Sequence, residues 1–78
     1  MKREEILEFV DPEAIVWDGF DDAIIGNDNN GRVVYDIDKM VEILSKDMSE
    51  EEAIEYLEFN VLYTYVGELT PVHVYLRG

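Results

Sequence analysis

The strongest periodic signal runs over residues 49–66. Ile54, Leu57, Val61 and Tyr65 recur there at helical spacing. Ser49 with Glu52 three residues later forms a capping box, and Glu50, Glu51 and Glu52 lie where the helix dipole favours negative charge. Gly67 supplies the stop. The spacing therefore predicts one helix over 49–66. Its second half, from Phe59 onward, is apolar on nearly every side and must be covered on several faces or pack on a partner.

The remaining elements are shorter. Ile6, Leu7 and Val10 form the apolar side of a predicted helix over 2–10, short enough to fray, and Asp11-Pro12 breaks it. Residues 13–17 read either as a helical turn begun by Pro12 or as a strand centred on Ile15, Val16 and Trp17. Asp18-Gly19 is a turn. Ala23, Ile24 and Ile25 predict a short buried strand, and Arg32, Val33, Val34 and Tyr35 its return partner. Asn27, Asp28, Asn29, Asn30 and Gly31 between them are hairpin-turn chemistry, because Asn and Gly accept positive φ at little cost.

Asp36 caps a second helix with Asp38 in its first turn. Met40, Val41, Ile43 and Leu44 form its apolar face, and Glu42 and Lys46 make a well-oriented pair four residues apart. Met48 leads straight into the capped helix, so the two helices form an αα-hairpin. Thr70-Pro71 turns the chain into a last strand over 72–76, with Val72, Val74 and Leu76 facing one way and His73 and Tyr75 the other. The expected fold is α+β: a β-hairpin, an αα-hairpin and a C-terminal strand making a small three-stranded antiparallel sheet packed on helices. The whole of 1–78 is expected to be a single domain, with 1–17 a loosely attached N-terminal helix.

Charge changes the picture most. Nineteen acids against six bases give a net charge of −13. No base occurs from Glu4 to Gly31, nor from Asp47 to Leu76. Coulomb repulsion thus disfavours direct binding to nucleic acid or to an anionic membrane. With 78 residues the core is thin, and without cysteine it has no disulfide or thiolate metal site. Met1-Lys2-Arg3 is followed by Glu4-Glu5 rather than an apolar run, so no leader is expected, and an intracellular, cytoplasmic setting is.

Candidate chemistry is sparse. An EF-hand reading of the Asn-rich turn puts Gly26 and Ile37 where carboxylates are required, so a hairpin turn is the better account. His73 is the single histidine, and it reads as a structural or surface residue ahead of a general base. Asp18, Asp21, Asp22, Asp36 and Asp38 could converge at one end of the hairpin as a metal-dependent or acid/base site, although each also suits capping and turn work. Glu51, Glu55 and Glu58 form a carboxylate stripe whose repeat approaches that of phosphates along a nucleic-acid strand. It serves either nucleic-acid mimicry or solubility. Asn60 either fixes the register of the helix or lies at a surface edge. No phosphate loop or nucleophile motif is present, and no cofactor is expected.

Several strings together are similar to one family: DGFDDAIIG at 18–26, YDIDKMVE at 35–42, EFN at 58–60 and YVGELTPV at 65–72. They resemble small, uncharacterised acidic proteins encoded by tailed phages and bacterial mobile elements, over about residues 18–74. The resemblance implies a setting inside an infected bacterium and carries over no activity or site residue. The expectation is a non-enzymatic interaction protein that meets a basic surface of a host or phage protein through Glu51, Glu55, Glu58, Asp21 and Asp22. The Asp-cluster site is the rival; a structural phage component or small-molecule-binding dimer is a third reading. A homodimer is also expected, with Phe59, Tyr63 and Val66 at its interface.

Overall fold

A computed structural model describes residues 3–76. Helix α1 (Arg3–Leu7) is followed by an irregular segment and a 3₁₀ turn (Asp21–Ala23). Strands β1 (Ile24–Asn27) and β2 (Val33–Asp36), helices α2 (Ile37–Leu44) and α3 (Glu50–Leu57), a π-helical turn (Glu58–Leu62) and strand β3 (Val72–Val74) complete the chain. The three strands lie in the order β1-β2-β3.

The hairpin forms where expected. Ile24 pairs with Tyr35 and Asn27 with Val33, and a bulge beside Ile25 shifts the register between them. Ala23 belongs to the 3₁₀ turn rather than to the strand. Asp28 builds the connecting turn. Its Oδ1 accepts from the N–H groups of Asn30 (3.0 Å) and Arg32 (2.8 Å), and its Oδ2 meets the Arg32 guanidinium at 2.6 Å. Burial pushes the Asp28 carboxyl up, but the bonds from Arg32 and Asn30 together outweigh it and hold it below the usual carboxylate value. Gly31 closes the turn at φ +84°, and its carbonyl accepts from Asp11 N–H at 2.9 Å.

The sheet is mixed, which corrects the expected all-antiparallel arrangement. β3 runs parallel to β2, with Val34 opposite Val72, Tyr35 opposite His73 and Asp36 opposite Val74. A tight turn enforces antiparallel pairing only between strands it joins directly. Residues 37–71, with two helices, are long enough to form the crossover that a parallel pair requires. The last strand also stops at Val74, and Tyr75 and Leu76 are exposed beyond it.

Both helix caps form as expected. Asp36 Oδ1 accepts from Asp38 N–H (3.0 Å) and Lys39 N–H (3.4 Å). Ser49 Oγ accepts from Glu52 N–H while Glu52 answers the Ser49 N–H, completing the capping box. Glu42 is paired at 3.3 Å with Lys39, three residues before it, rather than with the predicted Lys46 four residues after it.

The long helix does not reach Val66. It widens into the π turn at Glu58 and ends at Leu62. Tyr63, Thr64, Tyr65 and Val66 are aromatic or β-branched, and such side chains lose χ1 freedom in a helix. A competing turn captures this end. Val66 N–H donates to Thr70 Oγ1 (3.0 Å), whose hydroxyl donates to the Gly67 carbonyl (2.6 Å). Asn60 lies on the exposed side of the widened turn and donates to the Tyr56 carbonyl at 3.0 Å, so it is a surface residue that clamps the helix rather than a buried register pin.

One core joins all layers: Ile6, Phe20, Ala23, Ile24, Val33, Tyr35, Met40, Leu57 and Val61. Val33 and Tyr35 share a face of β2 by strand alternation, and both are fully buried. The N-terminal segment, expected to attach loosely, places Ile6 fully inside this core, with Val10, Ala14, Val16 and Trp17 packed against it. Helix α1 ends at Leu7, short of the predicted Val10, and the predicted start at Lys2 lies outside the described residues. Residues 13–17 form neither helix nor strand.

Among the described glycines, Gly31 is the one that its surroundings approach closely. A Cβ there would lie 2.9 Å from the Asp11 nitrogen at a backbone angle that side chains avoid. Gly31→Ala is expected to cost about 1–3 kcal/mol in urea unfolding. Gly26→Ala, with open space around the new methyl group, is the control expected to stay within about 0.5 kcal/mol.

Candidate functional site

The capping box fixes the start of α3 and so the direction of its outward rows. Glu51, Glu55 and Glu58 are all exposed, and the helical repeat keeps them on one side. Glu58 still has helical backbone angles as the π turn opens, so the row is continuous. Asp21 and Asp22 are exposed on the 3₁₀ turn. That turn packs on α2, and α2 packs on α3. The two acidic groups thus belong to different elements, with α2 between them, rather than to a single cluster.

A cleft of about 360 Å³ lies between α2 and α3. Val41 from α2 and Ile54, Leu57 and Leu62 from the third helix and its π turn line it, with Tyr75 closing one side. Pattern reasoning missed this feature. Its signal was the row Glu50, Ile54 and Leu57, which mixes one acid with two apolar residues on the side of α3 that faces the cleft.

The aromatic end of the third helix is open. Phe59 and Tyr63 are each 82% exposed, and Val66 is 45% exposed. Phe59 and Tyr63 flank or lie within the π turn, while Val66 sits in the following loop, so the interface residues expected from one helix come from two kinds of backbone.

One member of the Asp cluster has a local duty. The hairpin brings the 3₁₀ turn and the start of α2 to the same end, as expected. The Asp36 carboxylate is occupied as the cap of α2. Among the described residues, no three of His, Asp and Glu gather closely enough to hold a metal ion.

His73 takes its place from its strand partner. It pairs with Tyr35 across β2 and β3, and its ring lies nearly parallel to those of Tyr35 and Trp17. The Trp17 indole N–H donates to His73 Nε2 at 2.9 Å. An imidazole that accepts at Nε2 is neutral and carries its proton on Nδ1. Burial agrees with this, pushing the His73 pKa below its ordinary value. The lone pair a general base would use is therefore engaged by an indole. The Trp17–His73 contact spans 56 residues, and no local pattern announces it.

Because the folded pKa of His73 is depressed, the unfolded chain binds more protons between that value and about 6.5. This contribution to stability is full above about pH 6.5 and is lost as the pH falls into that window. Urea unfolding of the native chain should lose more stability between about pH 7.5 and 5.5 than His73→Gln does. Equal losses would mean that the imidazole titrates freely. The depressed Asp28 carboxyl acts lower, its contribution falling away as the pH drops below about 4.

No helix among the described residues is long and apolar enough to cross a membrane. The chain matches no protein family, no curated protein and no solved structure, so the resemblance to phage-encoded proteins rests on its strings alone.

Proposed function

We propose that this chain is a non-enzymatic acidic interaction protein that binds and modulates a basic surface of a host or phage protein. The setting is the cytoplasm of a bacterium carrying the phage or mobile element. The observation that carries the reading is the exposed row Glu51, Glu55 and Glu58 on a helix whose start is pinned by a capping box. It stands in a stretch, Asp47 to Leu76, without a lysine or arginine. Carboxylates held at a fixed repeat can compete with phosphates for a cationic groove, which makes nucleic-acid mimicry the natural mode. Asp21 and Asp22 add further exposed negative charge from the 3₁₀ turn that packs on α2.

A second reading concerns self-association. The exposure of Phe59 and Tyr63, with Val66 beside them, supports a homodimer through that end of the third helix. Phe59 is five positions beyond Ile54, about 140° around the helix axis, so this contact leaves the α2–α3 cleft accessible.

Capture from bacterial lysate on the immobilised chain should recover basic proteins at low salt and release them at high salt. The triple variant E51Q/E55Q/E58Q should lose most of that recovery while melting at nearly the same temperature. Failure to retain any basic protein at low salt would refute the acidic-surface reading.

Sedimentation equilibrium tests the dimer separately. Two copies of a −13 chain repel, so dimerisation should strengthen as salt rises. Phe59→Ser with Tyr63→Ser should hold the chain monomeric. A native chain that stays monomeric at every salt concentration sinks the dimer.

A further inference from the structure

We infer that the cleft between α2 and α3 is a docking groove for a basic amphipathic segment of the partner protein. The inference rests on the acidic-surface reading above and adds to it a place and an apolar component.

The floor of the cleft is apolar and its edges are acidic. Val41, Ile54, Leu57 and Leu62 supply the floor. Ile54 remains 39% exposed although it sits in the middle of a helix packed on another helix. Asp38 and Glu42 stand on the α2 side, and Glu50 on the α3 side. The exposed row Glu51, Glu55 and Glu58 is one residue on from Glu50, Ile54 and Leu57, or about 100° further around α3. Buried Ala53 lies on the other side of the cleft-facing row, towards the core. The acidic row therefore follows the cleft-lining row on the side of α3 away from the core, next to the cleft but outside its lining. Among the described residues, no lysine or arginine lines it. Lys39 holds Glu42 in an exposed pair at 3.3 Å, the kind of contact that contributes little and exchanges readily.

This combination selects the occupant. An anionic ligand would be repelled by the margins. An uncharged apolar one would strip water from the carboxylates without replacing it. A purely ionic contact would leave Ile54 and its neighbours uncovered. A segment with large apolar residues on one side and lysine or arginine beside them satisfies floor and margins together, the arrangement of a helix lying in a groove. Helix α2 has eight residues, about 12 Å of length, so the groove takes about two turns of such a helix. Its volume, about 360 Å³, is at the small end of ligand clefts of roughly 300–1,000 Å³.

The test uses the full chain and three synthetic peptides followed by fluorescence anisotropy at low salt. One is a helical leucine–lysine peptide. The second keeps every lysine and replaces leucine by serine, and the third keeps every leucine and replaces lysine by glutamate. The leucine–lysine peptide should bind at least about tenfold tighter than either of the others. Ile54→Glu should erase that advantage over the lysine–serine peptide, and Phe59→Ser, on another side of the helix, should keep it. Amide shifts in the native chain should centre on Val41, Ile54 and Leu62, a readout that does not depend on any variant folding. Equal binding of the two lysine peptides, or shifts centred elsewhere, overturns the groove while salt-sensitive binding of both leaves the acidic-surface reading standing. Absence of binding by either lysine peptide overturns both. Equally tight binding of the leucine–glutamate peptide, or of a simple alkylamine, makes the cleft an apolar or small-molecule site and overturns the inference.

Discussion

Tyr35 has the largest of the fully buried side chains, and its hydroxyl group cannot be left without a partner. The Trp17 backbone N–H donates to that hydroxyl at 2.8 Å. This fixes the N-terminal segment against the central strand. It also delivers the Trp17 indole to a half-buried place where its own N–H needs an acceptor, and His73 Nε2 provides one. The Tyr35 ring lies against His73, which its register places opposite it on β3. One buried phenol thus ties the N-terminal segment, β2 and the last strand into a single set of mutual requirements. Neutral His73 is the condition for satisfying them all.

A thin core carrying a net charge of −13 tolerates few errors, since like charges oppose the compact state. The chain offsets this with local devices. The acids at the start of α3 lie where the helix dipole is positive, and Ser49 and Glu52 satisfy each other's backbone N–H groups. Asp36 does the same for α2, and Asp28 converts its charge into the frame of the hairpin turn. Several carboxylates of this chain therefore have structural work, and others stand on exposed faces outside it. Glu51, Glu55 and Glu58 are the ordered row that remains.

The third helix carries rows of different chemistry. One row faces the core, the next faces the cleft, and the acidic row follows beyond it. The π turn changes the periodicity just as the exposed aromatic residues begin. Val61 stays buried through the change while Phe59 and Asn60 are turned outward. The acidic row and the exposed aromatic residues therefore lie on different sides of the helix axis.

The amino-acid sequence by itself determined whatever depends on neighbours a few residues away. The Asn-rich hairpin turn, the Asp36 cap, the Ser49–Glu52 box and the αα-hairpin are all governed by short-range hydrogen bonds and backbone preferences, and each forms where its residues are. The Glu51, Glu55 and Glu58 row was legible too, because a capped helix has one repeat. Tertiary structure decided the rest. The direction of β3 depends on a crossover of two helices, not on a turn, and it came out parallel. The helix end depends on competition between helical hydrogen bonds and the Thr70 turn, which captured Val66. The pairing of Trp17 with His73 and the cleft between α2 and α3 arise from residues distant in the chain. A helical repeat states which residues share a side; only packing states which side is left open.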